Sequence, residues 1–133
     1  MPVVWQRRGN DCGPAALATV AACHGVVVDV EALTADLALE QDGIDLLALS
    51  RAAGRLGFRT QGVRASYDAI PKCTLPAIAH MRSGGAGHFV VLQRWSPGHV
   101  VVADPAVGVR RLSRKAFCRR ATGYFLLVNR VPD

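Results

Sequence analysis

Gln6-Arg7-Arg8-Gly9-Asn10-Asp11-Cys12-Gly13-Pro14-Ala15-Ala16-Leu17 is the stretch on which the reading of this chain turns. A cysteine opens an apolar, alanine-rich run, and a glutamine stands six residues before it. Asp11 or Cys12 can cap a helix that runs to about His24. Pro14 is tolerated in its first turn and Gly25 stops it. A helix N-terminus is where a thiol gains thiolate character, because the dipole and the free backbone N–H groups favour the anion. The thiolate is the nucleophilic form, so this placement makes Cys12 a candidate nucleophile.

Outward from that helix, the pattern is helical first and extended afterwards. Leu17, Val20, Ala21 and His24 form one apolar stripe, which predicts a helix buried on one face. Asp29 caps a second predicted helix, Val30 to about Leu39. Asp45 caps a third, Leu46 to Leu56, with Gly57 at its end. From Phe58 the period becomes that of strands: Phe58–Arg64, Leu75–Met81, His88–Trp95, His99–Asp104, Val107–Leu112 and Tyr124–Arg130. A short helical turn at Ser66–Ile70 and a helix capped by Ser113 interrupt them, and Ser83–Gly87 reads as a flexible loop. Helices followed by antiparallel strands define an α+β chain, read as one domain over residues 1–133.

A cysteine nucleophile needs a base, and the base needs an orienting partner. Of four histidines, His24 lies on a helical core stripe, His80 in an apolar strand, and His99 beside a Pro-Gly turn. His88 differs: it follows the glycine-rich loop at the mouth of a hydrophobic strand. Two registers are open for the hairpin that follows. A turn centred on Ser96 sets His88 opposite Asp104. A turn centred between Pro97 and Gly98 displaces Asp104 by three residues, about 10 Å along the strand. Asp104 precedes Pro105, so a turn-forming role competes with an orienting one; the histidine on the partner strand favours the latter. Gln6 is a candidate second donor, beside the Cys12 amide, for the oxyanion that acyl transfer develops.

Composition narrows the classes. Lys and Arg outnumber Asp and Glu by 16 to 10, a net charge of +6. The densest basic group, Arg110, Arg111, Arg114, Lys115, Arg119 and Arg120, has only Phe117 among its aromatics, so it reads as a solvated face and no nucleic-acid partner is expected. The four cysteines (Cys12, Cys23, Cys73, Cys118) show no CxxC pair and no zinc spacing, so no metal or other cofactor is expected and reduced thiols are the simpler reading. The first residues lack an apolar signal core. The longest uncharged stretch, Cys12 to Val28, is too short and interrupted to span a bilayer. The expectation is a soluble, cytoplasmic chain.

The motifs Gln6-x5-Cys12-Gly13, His88-Phe89-Val90-Val91-Leu92 and Ala103-Asp104-Pro105-Ala106-x-Gly108, with Leu75-Pro76-Ala77-Ile78-Ala79-His80 and Leu112-Ser113-x-x-x-Phe117 in order between and after them, resemble the bacteriocin-processing cysteine peptidase domain of peptidase-containing ABC transporters. The resemblance implies a papain-like fold with N-terminal helices packed on a C-terminal antiparallel sheet. It implies Cys12 as nucleophile, His88 as base, Asp104 as orienter and Gln6 in the oxyanion hole. It implies a precursor peptide with a helical leader ending in Gly-Gly, Gly-Ala or Gly-Ser as substrate, and the membrane and ATP-binding domains of an exporter as partners. Ile44-Asp45 departs from the small hydroxyl residues many relatives carry there. No membrane or nucleotide-binding segment follows, which reads as an excised domain or a stand-alone peptidase. Two other readings share the same residues: a leader-binding module that does not cut, and another papain-like thiol amidase or acyltransferase.

Overall fold

A computed structural model describes residues 3–4, 12–37, 46–83 and 86–130. Three helices come first: α1 (Cys12–Cys23), α2 (Val30–Leu37) and α3 (Leu46–Arg55). Six strands follow: β1 (Phe58–Arg64), β2 (Ala77–Ser83), β3 (Ala86–Trp95), β4 (His99–Asp104), β5 (Gly108–Ser113) and β6 (Ala121–Arg130). A 3-10 segment, Tyr67–Lys72, precedes β2, and helix α4 (Arg114–Arg120) precedes β6. The strands form one sheet in the order β1-β6-β2-β3-β4-β5, every neighbour antiparallel.

Both faces of the sheet are covered. On one side α1, α2 and α3 bury a core of Leu17, Val20, Leu49 and Ala53 against Ile78, Phe89, Val91, Leu126 and Val128. On the other, the 3-10 segment and α4 bury Tyr67, Ile70 and Phe117 against Ala79, Val90, Leu92, Val102 and Phe125. Runs such as Phe89–Leu92 and Phe125–Val128 are therefore apolar without alternation, because each strand meets a core on both sides.

Helix α1 departs from the expected stripe: every residue from Cys12 to Ala21 is buried. Small side chains permit this, since alanines let neighbours approach closely, and the chain near Val4 lies on the remaining face. The Val4 N–H donates to Thr19 Oγ1 (2.8 Å), and that hydroxyl donates to Ala15 O (2.9 Å). Gly25 and Gly57, at φ +79° and +92°, end α1 and α3 in the left-handed conformation that a side chain disfavours.

Strand boundaries also differ from the sequence reading. β2 runs to Ser83 and β3 begins at Ala86, paired to each other, so Ser83, Ala86 and Gly87 of the expected loop belong to strands. β6 begins three residues early, at Ala121. The predicted extent of the second helix beyond Leu37 and the Asp45 cap lie outside the described residues. Ser113 does cap α4, its hydroxyl accepting the Ala116 N–H (3.1 Å). Among the described residues no helix is long and apolar enough to cross a membrane.

Truncating the fully buried Leu17 to alanine should cost about 2–5 kcal/mol in urea unfolding, whereas the same change at Val27, 96% exposed, should stay within about 0.5 kcal/mol.

Candidate active site

The hairpin of β3 and β4 adopts neither expected register throughout. Near the turn, Trp95 pairs with Val100 and Arg94 with Val101, the arrangement centred between Pro97 and Gly98. Farther out, Leu92 pairs with Val102 and Val91 with Ala103. Gln93 is the extra residue between these registers, a β-bulge. Without it Asp104 would fall opposite Val91 and point away from the face of His88, since side chains alternate along a strand. With it, the ladder continued by one residue sets Asp104 opposite Val90. Asp104 then shares a face with His88, one diagonal step away.

The bond that this register permits is present. His88 Nε2–H donates to Asp104 Oδ1 at 2.7 Å, and both side chains are largely buried. The same carboxylate oxygen accepts the Ala106 N–H at 2.9 Å, and the Val107 N–H donates to Asp104 O at 3.1 Å. Asp104 thus both forms the Asp-Pro turn and bonds the histidine. Gly108 at φ +100° closes this turn.

With Nε2 committed to the carboxylate, Nδ1 is the nitrogen left for a second partner. The Cys12 thiol lies near enough to the ring to raise its pKa. The bond to Asp104 and the neighbouring Cys12 thiol overcome burial and push the His88 pKa up to about 9. Burial opposes ionisation of Asp104, but the His88 bond, the Ala106 N–H and the charges of His88 and Arg120 outweigh it. The carboxyl is held below its ordinary range. Cys12 is buried at 7% exposure as the first residue of α1, where backbone N–H groups lack intrahelical partners.

Cys12, His88 and Asp104 are therefore brought together, while Gln6 lies outside the described residues. The other histidines have separate surroundings. His24 packs its ring 5.5 Å from Phe58, and His80 shares a hydrogen bond with Thr122 (3.1 Å), with burial lowering its pKa. His99 is half-buried and bonded to Ser96 Oγ at 2.8 Å. Cys12, Cys23, Cys73 and Cys118 are all free thiols, and no metal-holding cluster occurs among the described residues. Sequence reasoning missed Gln93; its signal was one buried polar residue directly after an apolar run.

The fold and site define a papain-like α+β framework with a cysteine at a helix start and a histidine–aspartate pair on the sheet. The chain belongs to the Peptidase C39 family, which it matches over residues 1–133. It is 36% identical over 132 residues to an uncharacterized protein of Methanothermobacter thermautotrophicus, covering 98% of this chain and 90% of that protein. Among solved structures it resembles a double glycine motif protease from an AMS/PCAT transporter in complex with the leader peptide. The TM-score is 0.89 at 30% identity, over 98% of this chain and 91% of that one. It also resembles the peptidase domain of Streptococcus ComA, a bi-functional ABC transporter, at TM-score 0.91 and 28% identity, over 97% and 98% of the two chains. Some relatives are far longer: the chain spans 18% of the colicin V secretion/processing ATP-binding protein CvaB of Escherichia coli, at 31% identity.

Two titration outcomes follow from this geometry. By NMR the His88 ring should titrate near pH 9, and in Asp104→Asn its midpoint should move back toward 6.5. Because the folded value lies above the unfolded one, His88 adds stability that is complete below about pH 6.5 and is lost as pH rises through about 9. The fall in urea midpoint between pH 6 and pH 9.5 should therefore shrink in His88→Ala.

Proposed function

We propose that this chain is a cysteine peptidase that cleaves a precursor peptide after a double-glycine-type pair, releasing its leader in concert with export by an ABC transporter. The observation that carries the reading is the His88 ring, bonded at Nε2 to Asp104 and close to the Cys12 thiol at the start of α1. The likeness to a double glycine motif protease solved with its leader supports the substrate class. The ATP-binding and transporter relatives support the partner and a site at the cytoplasmic face of a membrane.

In this mechanism Cys12 Sγ attacks the carbonyl carbon of the leader's last small residue. His88 takes the thiol proton and gives it to the leaving amine, so the mature peptide departs and a thioester to Cys12 remains. Asp104 holds the ring with Nδ1 toward the sulfur and stabilises the imidazolium. The Cys12 amide, with the Gln6 carboxamide as second donor, stabilises the oxyanion in both tetrahedral steps. A water activated by His88 then frees the leader acid. The requirement for two small residues follows if the approach to the sulfur is too narrow for side chains, and spaced apolar anchors would hold the leader helix.

Cys12→Ala should abolish cleavage of a double-glycine precursor peptide followed by mass spectrometry; cleavage that persists removes Cys12 from the mechanism. Gln6→Ala should lower turnover on the order of 100-fold or more, through the loss of one oxyanion donor. An unchanged rate removes Gln6 from the oxyanion hole.

A further inference from the structure

Charge is divided unevenly along the chain. Residues 58–130, which make the sheet and its outer cover, hold twelve Lys and Arg against two Asp and Glu. Both acids are already engaged: Asp68 takes Arg114 through two bonds of 2.9 and 3.1 Å, and Asp104 takes His88. Apart from Arg120, whose charge also reaches Asp104, the remaining cations of this half have no acidic side chain of their own region to meet.

Two of them border the candidate site. A cavity of about 400 Å³ is bounded by His88 and Asp104, with Val90, Val102 and Leu112 among its apolar walls and Arg110 and Arg120 beside them. The Arg120 Nε–H donates to Arg82 O at 3.2 Å, which fixes that side chain and leaves its terminal amino groups for another acceptor. Arg110 lines the cavity from β5, paired with Val102, and its side chain has no hydrogen bond or ion pair among the described residues. Apolar walls with two cations suit a short peptide segment that carries a carboxylate.

The chemistry says which segment. In the proposed reaction His88 delivers a proton to the leaving amine, and that nitrogen belongs to the first residue after the cut. A cavity walled by His88, on the sheet face away from α1 and Cys12, therefore suits the departing side of the substrate. The glycine-type pair before the cut has no side chain able to fill it. An extended peptide advances about 3.3 Å per residue, so the first two residues after the cut are within reach. We propose that this cavity is the subsite for the first two residues of the released peptide, and that Arg110 and Arg120 select an Asp or Glu there. This inference rests on the double-glycine peptidase reading.

The test uses the whole chain and a double-glycine precursor peptide with Glu, Gln or Lys at the second position after the cut. For wild type, kcat/KM should favour Glu over Gln by roughly 10-fold at low salt, and the preference should shrink as salt is raised. In Arg110→Ala the Glu-to-Gln ratio should fall toward one, and in Arg110→Glu the preference should turn toward Lys. Arg120 also bears on Asp104, so Arg110 carries the test. Equal rates for the three peptides in wild type, or a ratio unchanged by both Arg110 variants, overturn the subsite while leaving the peptidase reading intact. If no Cys12-dependent cleavage is found, that reading falls separately. Affinity of the same peptides for the Cys12→Ala protein then decides the subsite: Glu preferred and lost in Arg110→Glu supports it, and equal affinity overturns it.

Discussion

The bond between His88 Nε2 and Asp104 Oδ1 is the constraint around which this molecule is arranged. It depends on one extra residue. Because side chains alternate along a strand, a straight hairpin from the Ser96–His99 turn would have put the histidine and the carboxylate on opposite faces of the sheet. The bulge at Gln93 shifts the ladder by one and returns them to the same face. The cost is an interrupted ladder in the middle of the sheet. The return is a histidine held at 2.7 Å by a buried carboxylate, with its other nitrogen left for the thiol.

The rest of the fold keeps that arrangement rigid. Strands β3 and β4 are interior to the six-stranded sheet and meet apolar cores on both faces. Neither can slip without exposing side chains such as Val91 or Val102. Helix α1, buried along its first ten residues, fixes where Cys12 begins. The carboxylate is pinned a second time by the Ala106 amide in the turn that Pro105 opens. A site built on such elements is preorganised, which is what the proposed proton transfer between thiol, ring and leaving amine requires.

Much of this was legible in the sequence. Helices then strands, the cysteine opening α1, Gly25 and Gly57 as stops and the Ser113 cap follow from local chemistry, and local chemistry decides them. The pairing of His88 with Asp104 could be narrowed to two registers and no further. The bulge that settles it is a tertiary compromise between the turn and two cores, and its only trace is Gln93 beside Phe89–Leu92. The complete burial of α1 was hidden for a similar reason. An alanine-rich helix shows a weak stripe, and what covers its other face, the chain near Val4, lies fifteen residues from Thr19. Nor does periodicity tell on which face of the sheet α4 packs; Phe117, locked into the outer core, decides that in three dimensions.

In the proposed mechanism His88, held by Asp104, activates a buried thiol at Cys12. The exposed thiol of Cys118 in the same molecule is an internal reference. Site-resolved mass spectrometry of iodoacetamide alkylation at neutral pH compares the two directly. Cys12 should react faster than Cys118 despite its burial, and His88→Ala should drop Cys12 below Cys118 while leaving Cys118 unchanged. A Cys12 no faster than Cys118, or one whose rate is indifferent to His88, would contradict it.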